Sequence, residues 1–413
     1  MNILVVSPYL PHPASGHGTG IILHGLLRHL APRHQVTLLS FCDDRERRLA
    51  SDLRLPVEVI IVPRGRAGRP GAGAFLRLAS VRSLQFLWSL LTWKPYYVAK
   101  YRNRKMARMV SRLTDERAFD IVQFEMSHMG RYLRNVKKGR TVLHEHDVSF
   151  RPAYRRYRRS GAGPKKFAWF VEWCRWFRYE RAIVPRFDHT LCVTEQDVRL
   201  LERFTGSTSV SYLPRGVDVP DRVPDAGARE PGSLLFVGTF SHQPNVDAAM
   251  WTVKEIFPLV LRTYPGATLS IIGLDPPEPL RAAAASFSGV KILGFVDDVN
   301  PYLRKCAVFI APLRYGGGVK VKILHALAQG IPVVTTKVGA EGIEGLSDGG
   351  VLIGDSSERL ADHICTLFRD PRRASELARK GWDIVRNSYT WEAVTKRLED
   401  IYGRILSPER EGA

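Results

Sequence analysis

The chain lacks the marks of several common protein classes. None of its five cysteines (Cys42, Cys174, Cys192, Cys306, Cys365) forms a CxxC pair. Their scatter indicates neither a zinc site nor a disulfide framework, and a reducing compartment fits it. No apolar run approaches the roughly 20 residues needed to span a bilayer. The most apolar helical stretch, "FLWSLLTW" (Phe86–Trp93), stops far short. The opening "MNILVVSPYL" reads as a strand, without the basic leader and long apolar segment of a signal peptide. No short-period repeat is visible. Acidic residues are scarce in one half only. Residues 1–215 hold 38 Lys+Arg against 17 Asp+Glu, and the remainder holds 23 against 24. The net charge of +20 therefore belongs to the N-terminal half, which would meet an acidic partner first.

With 45% hydrophobic and 25% charged residues, the chain is globular, and 413 residues suggest two domains. Short apolar runs alternate with helical patterns in both halves. "NILVVSP", "QVTLLSF", "VEVIIVP", "DIVQFEM", "RTVLHEH" and "HTLCVTE" read as buried strands of the first half. "SLLFVGTF", "ATLSIIG", "VKILGFV", "CAVFIAPL", "IPVVTTKV" and "GVLIGD" read as those of the second. Such runs indicate parallel sheets of βαβ units. The fold class is thus α/β, with two Rossmann-like domains facing across a cleft. The Pro-, Gly- and Asp-rich stretch Pro214–Ser233 supplies the join. We place the domains at 1–215 and 216–387, with a C-terminal segment at 388–413. In that segment Ser388 or Thr390 could cap a helix whose Trp391, Val394, Leu398, Ile401 and Tyr402 share a face.

Ligands in such sheets bind beyond the carboxyl ends of strands. Three stretches qualify. In "GGGVKVKILHALAQGIPVV", Gly316, Gly317 and Gly318 lead into a helix expected over Val319–Gln329. Lys320 and Lys322 stand in its first turns, where the helix dipole disfavours cations. A bound phosphate would reverse that preference. In "PASGHGTGIILHGLLRHL", Gly16, Gly18 and Gly20 precede a helix with Ile21, Leu26, Leu27 and Leu30 on its apolar face. Its spacing is not a dinucleotide fingerprint. In "TVLHEHDVSF", His144 and His146 end a strand and could exchange hydrogen bonds with a bound hydroxyl.

These stretches resemble family 4 retaining glycosyltransferases, which have the GT-B fold. "GGGVKVKILHALAQGIPVVTTKVGAEGIEG" looks like the donor-site signature of that family, closest to the branch that builds bacterial exopolysaccharides. "LFVGTFSHQPNVDAAMW", "LGFVDDVNPYLRKCAVFIAPLRYGGG", "YERAIVPRFDHTLCVTEQD", "PRGVD" and "SYTWE" resemble other parts of it. The resemblance implies a sugar transferred from a nucleotide-sugar donor to a lipid-linked or glycan acceptor, with retained configuration. It implies that Gly16 and Gly18 lie near the donor phosphate and that His146 contacts the transferred sugar. Gly238 opens the C-terminal domain's loop, Gly294 and Phe295 read the base, and Gly316 to Gly318 hold the pyrophosphate with Lys320 and Lys322. It also implies a helix from "SYTWE" that crosses back to the N-terminal domain. No cofactor is expected. No metal is expected either, because the chain has no two aspartates separated by one residue.

The chain departs from the family pattern where two glutamates usually stand, at Gly317 and His325. It has Thr239 and His242 where an Arg and a Lys are usual. His325 should grip the ribose less well, with Glu341 and Glu344 as possible substitutes. Two other readings stay open: a sugar-nucleotide epimerase of the same fold, and an inactive partner subunit.

The basic half carries one more signal. "RPAYRRYRRSGAGPKKFAWFVEWCRWFRYERAIVPR" (Arg151–Arg186) holds eleven Lys+Arg and two Glu, and Trp169, Trp173 and Trp176 fall on one helical face. "FLRLASVRSLQFLWSLLTWKPYYVAKYRNRKMARM" (Phe75–Met109) has similar character. Basic and aromatic residues together suit an anionic membrane surface. The expectation is a cytoplasmic protein, peripheral on the inner face of the plasma membrane. No nucleic-acid-binding module accompanies the charge.

Overall fold

The computed structural model describes residues 1–15, 18–44, 46–64, 85, 88–223, 227, 229–346 and 349–407. The chain divides into two compact units, Met1–Arg215 with Val394–Ala413, and Gly216–Ala393.

The first unit is built on seven parallel strands: β1 (Asn2–Ser7), β2 (Gln35–Cys42), β3 (Glu58–Pro63), β4 (Ile121–Glu125), β5 (Arg140–Glu145), β6 (His189–Cys192) and β7 (Val210–Tyr212). Their order is β3-β2-β1-β4-β5-β6-β7. Central strands are buried on both faces, so Leu4, Val6, Phe124 and Leu143 are solvent-inaccessible and no alternation is seen. The edge strand β3 is half-exposed, and the three-residue β7 is too short to stand out in the sequence. The six strands read from the sequence are all present. Helix α1 (Gly18–Leu30) follows β1. Its buried face carries Ile22, Leu23, Leu26, Leu27 and Leu30, while the expected Ile21 is exposed. Helices α2 (Phe150–Arg159) and α3 (Pro164–Ile183) pack together as a hairpin after β5.

The second unit holds six parallel strands: β8 (Glu230–Val237), β9 (Thr268–Ile272), β10 (Val290–Gly294), β11 (Cys306–Ala311), β12 (Val333–Thr335) and β13 (Leu352–Ile353). Their order is β10-β9-β8-β11-β12-β13. In both sheets the order reverses once, at β1/β4 and at β8/β11. Such a reversal leaves a crevice at the carboxyl ends where a ligand can enter. Helix α4 (Val321–Ala328) follows β11, and the short α5 (Lys337–Ala340) follows β12. Gly330 takes φ +63° just beyond α4, as a helix-ending glycine should.

The last helix, α6 (Trp391–Leu406), starts in the second unit and belongs to the first from Val394 onward. Thr390 caps it, its Oγ1 accepting from the Ala393 amide at 3.2 Å. The face read from the sequence is buried: Trp391, Val394, Leu398, Ile401 and Tyr402. In the second unit Trp391 packs on Gly216, where an added Cβ would lie 2.2 Å from the indole. In the first unit Glu399 meets His34 Nε2 at 2.7 Å and Arg33 Nε at 3.0 Å.

Candidate active site

The β8/β11 crevice of the second unit contains a cavity of about 520 Å³. Gly238 and Thr239 enter it from the end of β8, Asp298 and Asn300 from beyond β10, and Lys322 and His325 from α4. Space at Gly238 is tight. A Cβ there would come within 2.9 Å of both Lys322 Nζ and Asn245 Cγ. Asn245 holds the corner together. Its Nδ2 donates to the Thr239 carbonyl at 2.8 Å, and its Oδ1 accepts from Lys322 Nζ at 2.6 Å. The ammonium also lies 5.1 Å from the centre of the Phe236 ring. Burial pushes the Lys322 pKa down to about 7. It is a cation at the start of a helix, hydrogen-bonded to a neutral amide. Such a site favours an incoming anion.

The two lysines turn out to be unequal. Lys320 precedes α4 as its N-cap residue, with φ −86° and ψ 82°. Its buried side chain places Nζ 3.9 Å from Glu341 Oε2, and it does not line the cavity. The helix is shorter than Val319–Gln329, because its first turn begins only after Lys320. Glu341, considered as a substitute for the missing ribose glutamate, is thus an ion-pair partner of Lys320. His325 lies about one turn into α4 and lines the cavity from an exposed position.

The three loop glycines lie between β11 and α4, outside the cavity lining. Gly316 (φ +142°) and Gly318 (φ +67°) occupy backbone conformations that favour glycine. Gly294 (φ +71°) ends β10, and Phe295 beside it is 65% exposed. The cavity is reached from that loop by Asp298, Val299 and Asn300, a few residues later than expected. Gly18 opens α1 on an exposed position, and Gly16 lies outside the described residues.

In the first unit, His146 follows β5 and His144 lies within it. Both rings are buried, with centres 4.4 Å apart. They converge on Glu125 at the end of β4, a residue that the sequence reading did not single out. Glu125 Oε2 is 2.7 Å from His146 Nε2 and 3.1 Å from His144 Nδ1. Gln123 Nε2 donates to the other carboxylate oxygen at 2.5 Å, and the Tyr402 hydroxyl of α6 donates to Gln123 Oε1. Burial alone would raise the Glu125 pKa, but the two imidazoles hold it well below the usual carboxylate range. Burial lowers that of His146, as does His144, against the opposing pull of Glu125. The donor atoms of Glu125, His144 and His146 all lie within 4.8 Å of one another, a set with the chemistry to hold a metal ion. The signal for Glu125 was its place at the end of the strand beside β5, which only strand order reveals.

On the opposite side of β5, Glu145 is buried with Glu180 of α3. Glu180 accepts from the Ser149 and Phe150 amides at 2.8 and 3.0 Å, completing the start of α2. Burial raises its pKa to about 7.

The two sheets and their switch-point sites have a counterpart among known proteins. A model described as Glycosyltransferase Family 4 matches residues 16–220, and one described as Glycosyl transferases group 1 matches residues 231–370. The chain belongs to the family 4 glycosyltransferases. A GDP-mannose-dependent alpha-(1-6)-phosphatidylinositol monomannoside mannosyltransferase of Mycobacterium tuberculosis is 26% identical over 49% of this chain and 58% of its own length. An uncharacterized protein in the cps region of Klebsiella pneumoniae is 27% identical over 38% of this chain and 42% of its own length. The chain spans about half the length of the curated relatives it matches. Sucrose-phosphate synthase from Thermosynechococcus elongatus has the same fold, with a TM-score of 0.67 at 16% identity over 99% of this chain and 100% of that one. Anabaena HepE in complex with UDP aligns with a TM-score of 0.63 at 14% identity over 98% of this chain and 100% of that one. The fold of this family 4 chain is therefore GT-B.

Its aromatic hairpin differs from the interfacial helix expected. Trp176 is buried in the core, Trp173 packs on Tyr154 and Tyr157, and Trp169 lies 4.8 Å from Arg156. The tryptophan stripe is mainly a packing face. The outer face instead shows Phe167 (68% exposed) and Phe170, beside exposed Arg158, Arg159 and Lys165. Of the second basic stretch, residues 75–84, 86 and 87 lie outside the described residues. Leu90, Leu91 and Trp93 are exposed. Among the described residues, no helix is long and apolar enough to cross a membrane.

Proposed function

We propose that this family 4 glycosyltransferase moves a sugar, with retained configuration, from a nucleotide-sugar to a lipid-linked or polysaccharide acceptor. The observation that carries the reading is Lys322, a desolvated ammonium that lines the β8/β11 crevice, held by Asn245 and close to Gly238. In such a transfer, negative charge grows on the departing diphosphate oxygen. A preorganised cation and helix-start amides stabilise that charge without a metal. His146 is assigned to the transferred sugar. Support for the acceptor class comes from the relatives, several named for mannosyl transfer to phosphatidylinositol mannosides. A role in exopolysaccharide assembly is favoured by the resemblance of the donor-site stretch and by the cps-region relative. The exposed aromatics and basic residues of the α2–α3 hairpin suit peripheral binding to an anionic membrane on its cytoplasmic face.

The test is a thermal-shift screen of the purified chain against UDP-, GDP-, ADP- and dTDP-sugars, followed by product analysis with lipid-linked acceptors. Binding to the native state raises the melting temperature. A selective shift and a new glycosidic product are expected. Binding without turnover would favour an inactive subunit, which the glycine at 317 and histidine at 325 make a specific alternative. An isomerised donor without transfer would favour an epimerase.

A further inference from the structure

The buried cluster around Glu125 leaves two ring nitrogens, His144 Nδ1 and His146 Nδ1, without a hydrogen bond. His146 Nδ1 is buried and has no hydrogen-bond partner. A polar nitrogen left in that state is unfavourable. Its ring neighbour Nε2 sits 2.7 Å from Glu125 Oε2. An ionised carboxylate only accepts, so the nitrogen facing it carries the proton. In a neutral imidazole the other nitrogen then bears a lone pair. The groups acting on His146 are Glu125 from β4, His144 from β5, and Arg215 after β7. A second proton would make Nδ1 a buried donor on a charged ring with no partner to receive it, so the geometry favours the neutral ring.

Glu125 is itself held in place. Its Oε1 accepts from Gln123, and Gln123 accepts from Tyr402. The amide has one workable orientation, because reversing it would set its carbonyl oxygen against the carboxylate. Glu125, Gln123 and Tyr402 are all buried, so water does not compete for these bonds. The chain Tyr402–Gln123–Glu125–His146 runs from the C-terminal helix to the imidazole.

We infer that Glu125 is a positioning residue, which keeps the His146 proton on Nε2 and so presents Nδ1 as an acceptor for a hydroxyl of the transferred sugar. Gln123 and Tyr402 hold Glu125 for that task. The identity of the hydroxyl rests on the glycosyl-transfer reading; the tautomer does not. A merely structural glutamate would leave kcat unchanged when replaced by a variant that folds.

The experiment is nitrogen-15 NMR of the full chain labelled at histidine, near neutral pH. The His146 resonances are assigned by their loss in His146→Gln. One protonated Nε2 and one bare Nδ1 are expected. In Glu125→Gln the carboxylate is gone, and the ring should move to the other tautomer or a mixture. That variant should lose kcat by about 10²-fold, the scale of a lost preorganised group. Its KM for the nucleotide-sugar and its affinity for the nucleoside diphosphate should stay within about twofold, which also shows that it folds. Tyr402→Phe, which keeps the packing, should lose part of the same kcat and none of the affinity. A proton on Nδ1, or a doubly protonated His146, in the wild-type chain would overturn the inference. Stoichiometric zinc in the purified chain, lost in Glu125→Gln, would also overturn it and make the cluster a metal site. The expected tautomer in a chain that transfers no sugar would refute the functional reading and the hydroxyl partner with it, while leaving the tautomer established.

Discussion

Lys322 makes the affinity for a nucleoside diphosphate depend on pH in a calculable way. Burial brings its pKa to about 7 in the ligand-free protein. A pyrophosphate beside the ammonium favours the charged form and raises that pKa again. Binding above neutrality therefore takes up a proton. With a free pKa of about 7, roughly half the sites are charged at about pH 7 and about one in 30 at about pH 8.5. Affinity should fall about 16-fold across that window, or about 1.6 kcal/mol. The ligand does not confuse the measurement, since a terminal phosphate with a pKa near about 6 has finished titrating. Calorimetry at about pH 8, in buffers of different ionisation enthalpy, should show about 0.9 proton taken up per site. Lys322→Met should bind more weakly, with a flat profile and no proton uptake. A wild-type affinity that is constant across the window, with no proton uptake, would refute the placement of Lys322 at the diphosphate.

Gly238→Ala should weaken nucleoside diphosphate affinity by displacing Lys322 Nζ or the Asn245 side chain, and calorimetry of a variant with a native melt checks it. His325→Glu should leave donor affinity unchanged or improve it, because a carboxylate accepts from two ribose hydroxyls where a neutral imidazole offers one acceptor; its loss of activity with the fold intact would give the histidine a role of its own. The chain should bind anionic vesicles over neutral ones and release in high salt, each basic residue near the surface contributing about 1 kcal/mol. Phe167→Ser should weaken this without altering turnover of a soluble acceptor; vesicle sedimentation reads the first effect and a transfer assay the second. Glu180 has a folded pKa of about 7, above its ordinary 4.5. Its protonation stabilises the fold fully below the lower value, and that stability is lost as pH rises through the upper one. Glu180→Gln should therefore reduce the fall in melting temperature between about pH 4.5 and about pH 7 relative to wild type.

The strands and the buried face of the C-terminal helix were legible in the sequence. Each depends on local periodicity and on Pro or Gly in the connecting turns. Parallel central strands are apolar on both faces, so they announce themselves as runs. The edge strand β7 did not, because three residues carry no pattern. Site chemistry was legible by residue type but not by pairing. Lys320 and Lys322 look alike two positions apart, yet the first is a non-helical N-cap paired with Glu341 and the second lies inside α4 and lines the cavity, a difference that arises where α4 begins. The tryptophans of α3 look lipid-facing in isolation, but packing against α2 and the core claims most of their surface. Glu125 was invisible as a site residue for the same reason that it now matters. Twenty-one positions separate it from His146 along the chain, and only the pairing of β4 with β5 brings the carboxylate to the imidazole. Tyr402, 279 positions from Gln123, needs the whole second unit to be traversed before the chain returns to complete that bond. Local sequence sets which elements form. Contacts between groups distant in the chain, which depend on strand order and on helix start points, decide which of their side chains meet.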